Sequence, residues 1–392
     1  MIEAYSRDWW RATLALCLGS FIVFVNLYAV QPLLPELRLE FGVSTLEASL
    51  VMSAALVTLA CSLLIFGPLS DAIGRDRIMR FTLLATALCS LSLMFVDDFT
   101  LLLIVRALQG MVLGGLPAVA IAWMGDEFDH RALMLAVGFY ISANTLGGIG
   151  GRVLGGFAGE YGGWHASFMA VGLLSVACVA IFWWLLPRAG HFESRPFRLK
   201  IALQALADHL RNPLLLSAYL IGGLNFFIFI NQYSYITFRL HEAPYSLSMQ
   251  WLGMIFVTYL GGTFGSALSG RLSQRLPQPM CMMLGILILM GGTLVTLSAS
   301  LPIILLGLVI NAFGFFVCHS MASSWVGRQA THSRGSATAL YLVFYYLGAS
   351  LGGFYLEPFW AMAGWQGVAL ASWLVLLGTL SLTLWLWRHT AP

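Results

Sequence analysis

Long apolar runs without charged residues constrain this chain more than any other feature of its sequence. A helix needs about 20 apolar residues to cross a bilayer core about 30 Å thick, and a helix satisfies its own backbone hydrogen bonds in lipid. Of the 392 residues, 59% are hydrophobic and only 9% are charged, whereas a soluble domain averages about 25% charged residues. We therefore expect an all-α membrane protein rather than a soluble one.

Twelve such runs divide the sequence and predict twelve transmembrane helices, numbered here as spans 1 to 12. The spans fall near Ala12–Pro35, Thr45–Ser70, Ile78–Val96, Thr100–Met124, Leu133–Ala158, Trp164–Leu186, Pro213–Phe238, Leu247–Ser269, Met280–Ser298, Pro302–Val326, Ser336–Leu356 and Trp365–Trp387.

One long polar segment, residues 188–212, separates the spans into two sets of six. We expect an N-terminal six-helix bundle over 1–187, a cytoplasmic linker over 188–212 and a C-terminal six-helix bundle over 213–392. The linker is basic first and then amphipathic, which favours a position along the membrane surface.

The two halves resemble each other at an almost constant sequence offset. Gly163-Trp164 corresponds to Gly364-Trp365, and Gly147 and Gly151 correspond to Gly348 and Gly352. Two pseudo-symmetric bundles related by a parallel repeat are one known transporter architecture.

The distribution of cations predicts the orientation. If the N-terminus is cytoplasmic, only Arg38 and Arg239 of the 20 Lys and Arg residues fall in outer loops, while Arg106 and Arg152 fall inside spans. The rest lie in inner segments, as the positive-inside rule requires. We expect a multi-pass protein of a bacterial inner (plasma) membrane with both termini in the cytoplasm.

The loop between spans 2 and 3 reads Gly67-Pro-Leu-Ser-Asp71-Ala-Ile-Gly74-Arg75-Asp-Arg77. A glycine at 67 permits close approach of helices, a glycine at 74 permits a tight turn, and Asp71 is an anion at a helix end. The pattern resembles the signature of the major facilitator superfamily. The resemblance extends over essentially the whole chain and implies a secondary transporter with alternating access.

The resemblance also implies a conformational latch, in which Asp71 pairs with a basic group near Arg131 and with the start of span 11. The chain departs from the family pattern at Ala72 and Asp76. The second copy of the motif has Gln274 in place of the acid, so we expect the latch to be asymmetric.

Span 5 carries glycines at 138, 147, 151, 155 and 156, and small residues at helical spacing allow another helix to pack closely. Gly138, Gly147, Gly151, Gly155 and Gly156 match every glycine of the antiporter motif of the superfamily, which places the chain near the drug:proton antiporters and sugar-efflux carriers. Arg152 replaces the proline of that motif. A buried arginine needs a partner, and Glu160 and Glu357 are the candidates by depth, although a functional purpose is equally open.

Three ionisable residues at membrane depth are candidates for proton coupling: Arg106, His319 and Arg152. Arg106 begins the sequence Arg106-Ala-Leu-Gln109-Gly110, which resembles a further family motif. In the family this arginine faces span 1, where this chain offers no carboxylate. A structural arginine and a neutral, hydrogen-bonded histidine remain the alternatives.

Uncharged hydrogen-bonding residues mark the expected substrate cavity, because they suit a polar or amphipathic solute. The resemblance implies that spans 1, 4, 7 and 10 line it. The candidates are Asn26, Tyr28, Gln31, Gln109, Asn225, Asn231, Gln232, Tyr235, Asn311 and Tyr345.

These features favour a monomeric secondary active transporter, with proton-coupled efflux of a drug, sugar or metabolite as the leading hypothesis. An uptake symporter or passive facilitator of the same fold is the main alternative, and a receptor that transports nothing is another. No phosphate-binding loop, metal-ligand motif or soluble catalytic domain is apparent. We therefore expect no enzyme activity, no cofactor, no metal and no nucleic acid, with the small-molecule substrate, protons and the lipid bilayer as partners.

Overall fold

The computed structural model describes residues 1–187, 190 and 199–390, and these residues are almost entirely helical. The helices are α1 (Arg7–Tyr28), α2 (Leu34–Phe41), α3 (Thr45–Ile73), α4 (Arg75–Leu93), α5 (Phe99–Leu113), α6 (Gly115–Glu127), α7 (His130–Leu185), α8 (Leu199–Arg211), α9 (Pro213–His241), α10 (Met249–Met254), α11 (Leu260–Leu272), α12 (Gln278–Val295), α13 (Leu301–Gln329) and α14 (Arg334–Thr390).

Nine helical segments among the described residues are long and apolar enough to cross a membrane. Two of them, α7 and α14, have 56 and 57 residues, about three times the number that a bilayer core requires. Each is interrupted by a glycine with positive φ, Gly163 at 72° and Gly364 at 55°. Each therefore supplies two spans, and with α4 as span 3 the helices agree with the predicted all-α architecture.

Span 1 departs most from its predicted bounds of Ala12–Pro35. Its helix begins earlier, where the Ser6 side chain accepts a hydrogen bond from the Trp9 backbone, and α1 ends at Tyr28. A 3₁₀ turn over Gln31–Leu33 and then α2 continue the segment to Phe41. Pro32 has no N–H to donate to the carbonyl of Tyr28, so the regular helix is interrupted there.

The chain forms two compact units. Unit 1 contains Met1–Val43, Leu50–Leu199 and Ser248–Met254, and unit 2 contains Ser44–Ser49, Lys200–Leu247 and Ile255–Pro392. Each unit thus includes a short segment from the other half of the sequence. The predicted bounds of the two bundles and the linker stay a prediction.

Only part of the expected linker falls within the described residues, since residues 188–189 and 191–198 lie outside them. The described part is mainly α8, which ends in the basic residues His209 and Arg211. Leu203 and Leu210 of this helix are exposed. An amphipathic helix with exposed leucines fits the expected position along a membrane surface.

The first ten residues of unit 1 bind to the connection between α6 and α7. Ile2 forms a parallel β-bridge with Phe128, with its N–H donating to the Glu127 carbonyl at 2.6 Å and its own carbonyl accepting from Asp129 at 3.1 Å. Trp9 is fully buried and donates its indole N–H to the carbonyl of Ala132 at 3.0 Å. We call residues 2–9 the N-terminal strap.

Candidate functional site

The glycines of span 5 bring α7 into backbone contact with α1. A Cβ atom on Gly147 would lie 2.9 Å from Phe21 Cα, and one on Gly151 would lie 2.6 Å from Val25 Cα. Gly155 meets Ala29 in the same way. Any side chain at these positions would force the two helices apart, so the spacing of four residues is a packing requirement.

Two of the motif glycines lie elsewhere. Gly156 faces α10, where its Cβ would lie 3.1 Å from Gly253 Cα, and a Cβ on Gly138 would have nothing within 4 Å. Unit 2 repeats the close packing with fewer glycines, since Gly348 and Gly352 of α14 meet the backbone of α9.

Arg106 of α5 is fully buried and binds backbone carbonyls on two neighbouring helices. Its Nε donates to Val51 of α3, and its two terminal nitrogens donate to Asn26 and Leu27 of α1, all at 3.0 Å. It also donates to the side chain of Gln109. The guanidinium therefore has protein acceptors at all three nitrogens.

The end of α1 explains why a guanidinium lies here. The last four carbonyls of a helix lack partners within it, and Asn26 and Leu27 are among the last residues before α1 ends at Tyr28. A cation is also favoured at a helix C-terminus by the helix dipole. Arg106 thus caps the interrupted helix of span 1.

Side chains complete this network around Asn26. Gln109 donates to Asn26 Oδ1 at 3.1 Å and to Ser90 Oγ at 2.7 Å, and the Ser90 hydroxyl also donates to Asn26. Asn26 donates to Ser175 at 2.8 Å. Asn26 and Gln109, which the sequence suggested as cavity residues, are fully buried in this network.

Arg152 lies in the span 5 part of α7 and binds neutral groups. Its Nε donates to Gln31 Oε1 at 2.7 Å and its Nη1 to the Gly148 carbonyl at 2.8 Å. Its guanidinium lies 4.0 Å from the centre of the Tyr28 ring, a cation–π contact. Span 1 thus supplies two of its partners, beside the 3₁₀ turn, and Glu160, a candidate partner by depth, is not among the groups named here.

Unit 2 has a neutral network on the corresponding spans. Asn311 of α13 donates to Gln232 of α9 at 2.8 Å and to Thr293 of α12 at 3.1 Å, and Gln232 donates to Thr293 at 3.0 Å. These three residues lie on spans 10, 7 and 9, which correspond to spans 4, 1 and 3 of the Arg106 network. Both amides are buried.

The other polar residues expected in the cavity are likewise bonded inside unit 2. Asn225 donates to Cys318 Sγ at 3.2 Å and accepts from Thr379. Asn231 donates to the carbonyls of Phe227 and Ala349. In these cases the amide ties helices together.

Tyr235 and Glu357 form a further polar pair in unit 2. The Tyr235 hydroxyl donates to Glu357 Oε2 at 2.7 Å and lies 3.2 Å from the Gly353 carbonyl. The second acid suggested for Arg152 accordingly has a tyrosine as its partner.

His319 of α13 lies at the edge of an aromatic cluster. Its ring is stacked at 12° to Phe315, with centroids 5.8 Å apart, and lies 4.7 Å from Tyr345. Tyr345, another predicted cavity residue, stacks in turn on Phe226 at 3.6 Å. His319 is partly exposed, and its Nδ1 lies 2.9 Å from the Tyr341 hydroxyl.

The loop of the family signature holds an ion-pair cluster centred on Arg75. Arg75 binds Asp71 at 2.9 Å and also pairs with Asp126, while Arg131 lies over the Tyr5 ring at 5.7 Å. Asp71 thus pairs with Arg75 across the turn at Gly74, and its expected pairing with a basic group near Arg131 stays a prediction. Its pairing with the start of span 11 stays a prediction.

The other residues of this loop have distinct surroundings. Gly74 has φ of 107°, which a side chain would strain, so this glycine is required by the turn. A Cβ on Gly67 would meet nothing within 4 Å, which contradicts the expected close approach there. Arg77 is exposed.

A family assignment follows from the sequence as a whole. Residues 16–353 match the sequence model of the Major Facilitator Superfamily. The chain belongs to the major facilitator superfamily. Members are transporters of small molecules rather than enzymes, so the fold described above is that of a multi-pass membrane carrier.

Relatives of similar length agree with this assignment. The chain is 38% identical over 358 residues to an uncharacterized MFS-type transporter, YybF, of Bacillus subtilis, covering 91% of this chain and 89% of that one. It is 35% identical to the inner membrane transport protein YnfM of Escherichia coli, covering 94% and 88%. A more distant relative, 25% identical over 86% of this chain and 83% of its own, is the chloramphenicol resistance protein CraA of Acinetobacter baumannii.

The fold also matches solved transporters. The crystal structure of a D-xylose-proton symporter aligns with a TM-score of 0.75 at 13% identity, over 96% of each chain. At this identity the likeness concerns the fold alone.

Sequence reasoning missed several residues that the structure brings into these networks. Ser90, Ser175 and Thr293 are buried serines and threonines of the kind found throughout membrane helices, although the repeat relates Ser90 to Thr293. Glu36 was missed because span 1 was ended at Pro35. It lies on α2, is half-buried, and has one carboxylate oxygen without a hydrogen-bond partner.

Proposed function

We propose that this transporter exports a small molecule in exchange for protons by alternating access. The substrate is a drug, a sugar or a metabolite. The protein lies in a bacterial inner membrane with both termini in the cytoplasm and acts as a monomer. The proposed bundles, 1–187 and 213–392, rock around a central site, joined by the linker 188–212.

The observation that carries this proposal is the glycine face of α7. The glycines at 147, 151 and 155 meet the backbone of α1, and the same glycines match the antiporter motif. A close, smooth interface between these helices supports exchange because it fixes span 1 and span 5 as one body during the cycle. The name of the chloramphenicol resistance relative supports export of a small aromatic compound.

The three residues suggested for coupling divide into two kinds. A guanidinium stays protonated in a protein, so Arg106 and Arg152 cannot release a proton and are assigned to holding span 1 in shape. A histidine changes charge between about pH 5 and 8. His319 is therefore the proposed proton carrier of the exchange.

The decisive experiment uses the full-length protein in proteoliposomes with a trapped pH-sensitive dye. The panel contains sugars, nucleosides, lipophilic cations and chloramphenicol, and protein-free liposomes are the control. A compound that moves protons in the direction opposite to its own supports antiport. Transport with protons moving in the same direction would identify a symporter, and transport without proton movement a facilitator.

The uptake alternative rests on the Arg106 network, where the described residues include no carboxylate and the side chains of Gln109 and Asn26 are neutral amides. Measurements of substrate flux driven by a proton gradient separate the two directions. Accumulation of substrate inside vesicles with an inward-directed proton gradient, in right-side-out orientation, would favour uptake over export.

A further inference from the structure

The ring of His319 has a tyrosine hydroxyl as its hydrogen-bonding partner. The Tyr341 hydroxyl of α14 lies 2.9 Å from His319 Nδ1 and 3.4 Å from the His319 backbone carbonyl. One hydroxyl thus reaches both a ring nitrogen and a carbonyl of the same residue. Tyr341 itself is fully buried, so its ring cannot swing away without disturbing the packing of α14 against α9.

The 2.9 Å distance between the Tyr341 hydroxyl and His319 Nδ1 suits a neutral imidazole. An unprotonated imidazole nitrogen is a good acceptor and a phenol is a good donor. The Tyr341 O–H therefore donates to Nδ1, which leaves the ring proton on Nε2. The structure gives Nε2 no hydrogen-bond partner among the described residues, and the side chain is partly exposed.

The 3.4 Å distance between the Tyr341 hydroxyl and the His319 carbonyl matters when the imidazole is protonated. When a proton binds to Nδ1, the new N–H donates to the Tyr341 oxygen. The tyrosine hydrogen then rotates by one torsion onto the His319 carbonyl at 3.4 Å. The Nδ1–H and the Tyr341 O–H each have an acceptor, no heavy atom moves, and no proton other than the incoming one changes its owner.

No charged side chain among the described residues contacts His319 to balance that proton. The titratable groups around it are Tyr341 and Tyr345 of α14 and Cys318 of α13. From α9 it is approached by Phe226 through Tyr345, and from α11 by Ser266 through Ser320. The hydroxyl of Tyr341 is the polar group whose hydrogen bond to the imidazole the structure records, and it can stabilise either form.

We propose that Tyr341 is a positioning residue that keeps the imidazole of His319 in the Nε2–H form when neutral and accepts from Nδ1–H when a proton is bound. Nε2–H then presents a donor to an acceptor group of the substrate, such as a carbonyl, hydroxyl or carboxylate. The effect of Tyr341 on transport rests on the proposed proton coupling. The tautomer of His319 does not depend on that proposal.

The first test is the substitution Tyr341→Phe, which removes the hydroxyl and keeps the ring. Tyr355→Phe is the matched control, because Tyr355 also lies on α14 and its hydroxyl also donates to a backbone carbonyl, that of Ala371 at 3.1 Å. Wild type and the control are expected to change their transport rate at least about threefold between pH 5 and 8. Tyr341→Phe is expected to change less than about half as much, and a profile equal to that of the control would overturn the proposal.

The second test reads the histidine directly and needs no transport. Imidazole ¹⁵N spectra of the purified wild-type protein, assigned to His319 by subtracting the spectrum of His319→Gln, report which nitrogen carries the proton. The proposal requires Nε2–H in wild type at neutral pH, and Nδ1–H would overturn it even if Tyr341→Phe fails to fold. If the tautomer is Nε2–H but transport has no pH dependence, the positioning stands and the proposed proton coupling fails.

Discussion

The two units solve the same packing problem with different chemistry. In unit 1 a guanidinium, Arg106, joins α5 to α1 and α3. In unit 2 an amide, Asn311, joins α13 to α9 and α12. Both polar groups are fully buried, and they lie on corresponding spans, 4 and 10, of the two halves.

The difference follows from the helix that each group binds. The helix of span 1 ends at Tyr28 and leaves carbonyls exposed near Asn26, whereas α9 runs without a break for 29 residues. An unbroken helix satisfies its own carbonyls, so an amide that meets the Gln232 side chain is sufficient. The end of α1 at Tyr28 therefore explains the buried charge of Arg106 without any role in transport.

The largest expected effect comes from removing the charge in unit 1. Arg106→Gln leaves at least two of the carbonyls at the end of α1 and on α3 without a donor, and each unpaired buried group costs about 1–3 kcal/mol. We expect a large loss of folded protein and of transport, measured by thermal unfolding in detergent and by flux.

The matched change in unit 2 is Asn311→Ala, which removes two bonds to neutral side chains. We expect a loss of about 1–3 kcal/mol, smaller than that of Arg106→Gln. Equal destabilisation by both substitutions would contradict the view that the charge serves the broken helix.

A second expected effect concerns the glycine faces. Gly151→Ala would press a methyl group against Val25, and overpacking of this kind costs about 1–3 kcal/mol. Gly352→Ala should do the same in unit 2, since it meets the backbone of α9. Gly138→Ala is the control, because nothing lies within 4 Å of its Cβ. Unchanged melting temperatures for Gly151→Ala would show that α1 and α7 separate freely.

The smallest effect on stability is expected at the loop signature. Asp71→Asn replaces the acid of the loop by an amide, and the second copy of the motif already has an amide, Gln274, at this place. Asp71 is about half exposed, with a side-chain exposure of 46%, so losing its pair with Arg75 should cost less than about 1 kcal/mol. We nevertheless expect slower transport if the loop is a latch.

Asp8→Asn is the control for this loop, since Asp8 pairs with Arg11 on the surface at 3.6 Å. The two variants are compared by initial rates at equal protein content. Identical rates for Asp71→Asn, Asp8→Asn and wild type would remove the latch from the mechanism.

The sequence predicted the spans and the family because both depend on local features. Apolar length decides whether a helix can cross a bilayer, and the glycines of span 5 mark a packed face by spacing alone. Even the break between spans 5 and 6 is visible as Gly162-Gly163-Trp164.

The partners of the polar residues could not be predicted in this way. Asn26, Gln109, Gln232 and Asn311 have the composition of a solute-binding surface, yet their bonds join helices distant in sequence. The partner of Arg106 depends on where α1 ends, which one proline and a 3₁₀ turn decide. Glu36 became a membrane-segment residue only because α2 extends span 1 to Phe41.

The N-terminal strap has a consequence for biosynthesis. Ile2 is among the first residues to leave the ribosome, but its partners at Glu127 and Asp129 are made only after the fourth span. A contact between segments so distant in sequence forms late, because the intervening chain must first be ordered. The N-terminal strap can therefore bind only after the first four spans have been synthesised. A fusion partner placed before Ile2 would be attached to an unbound strap until that point.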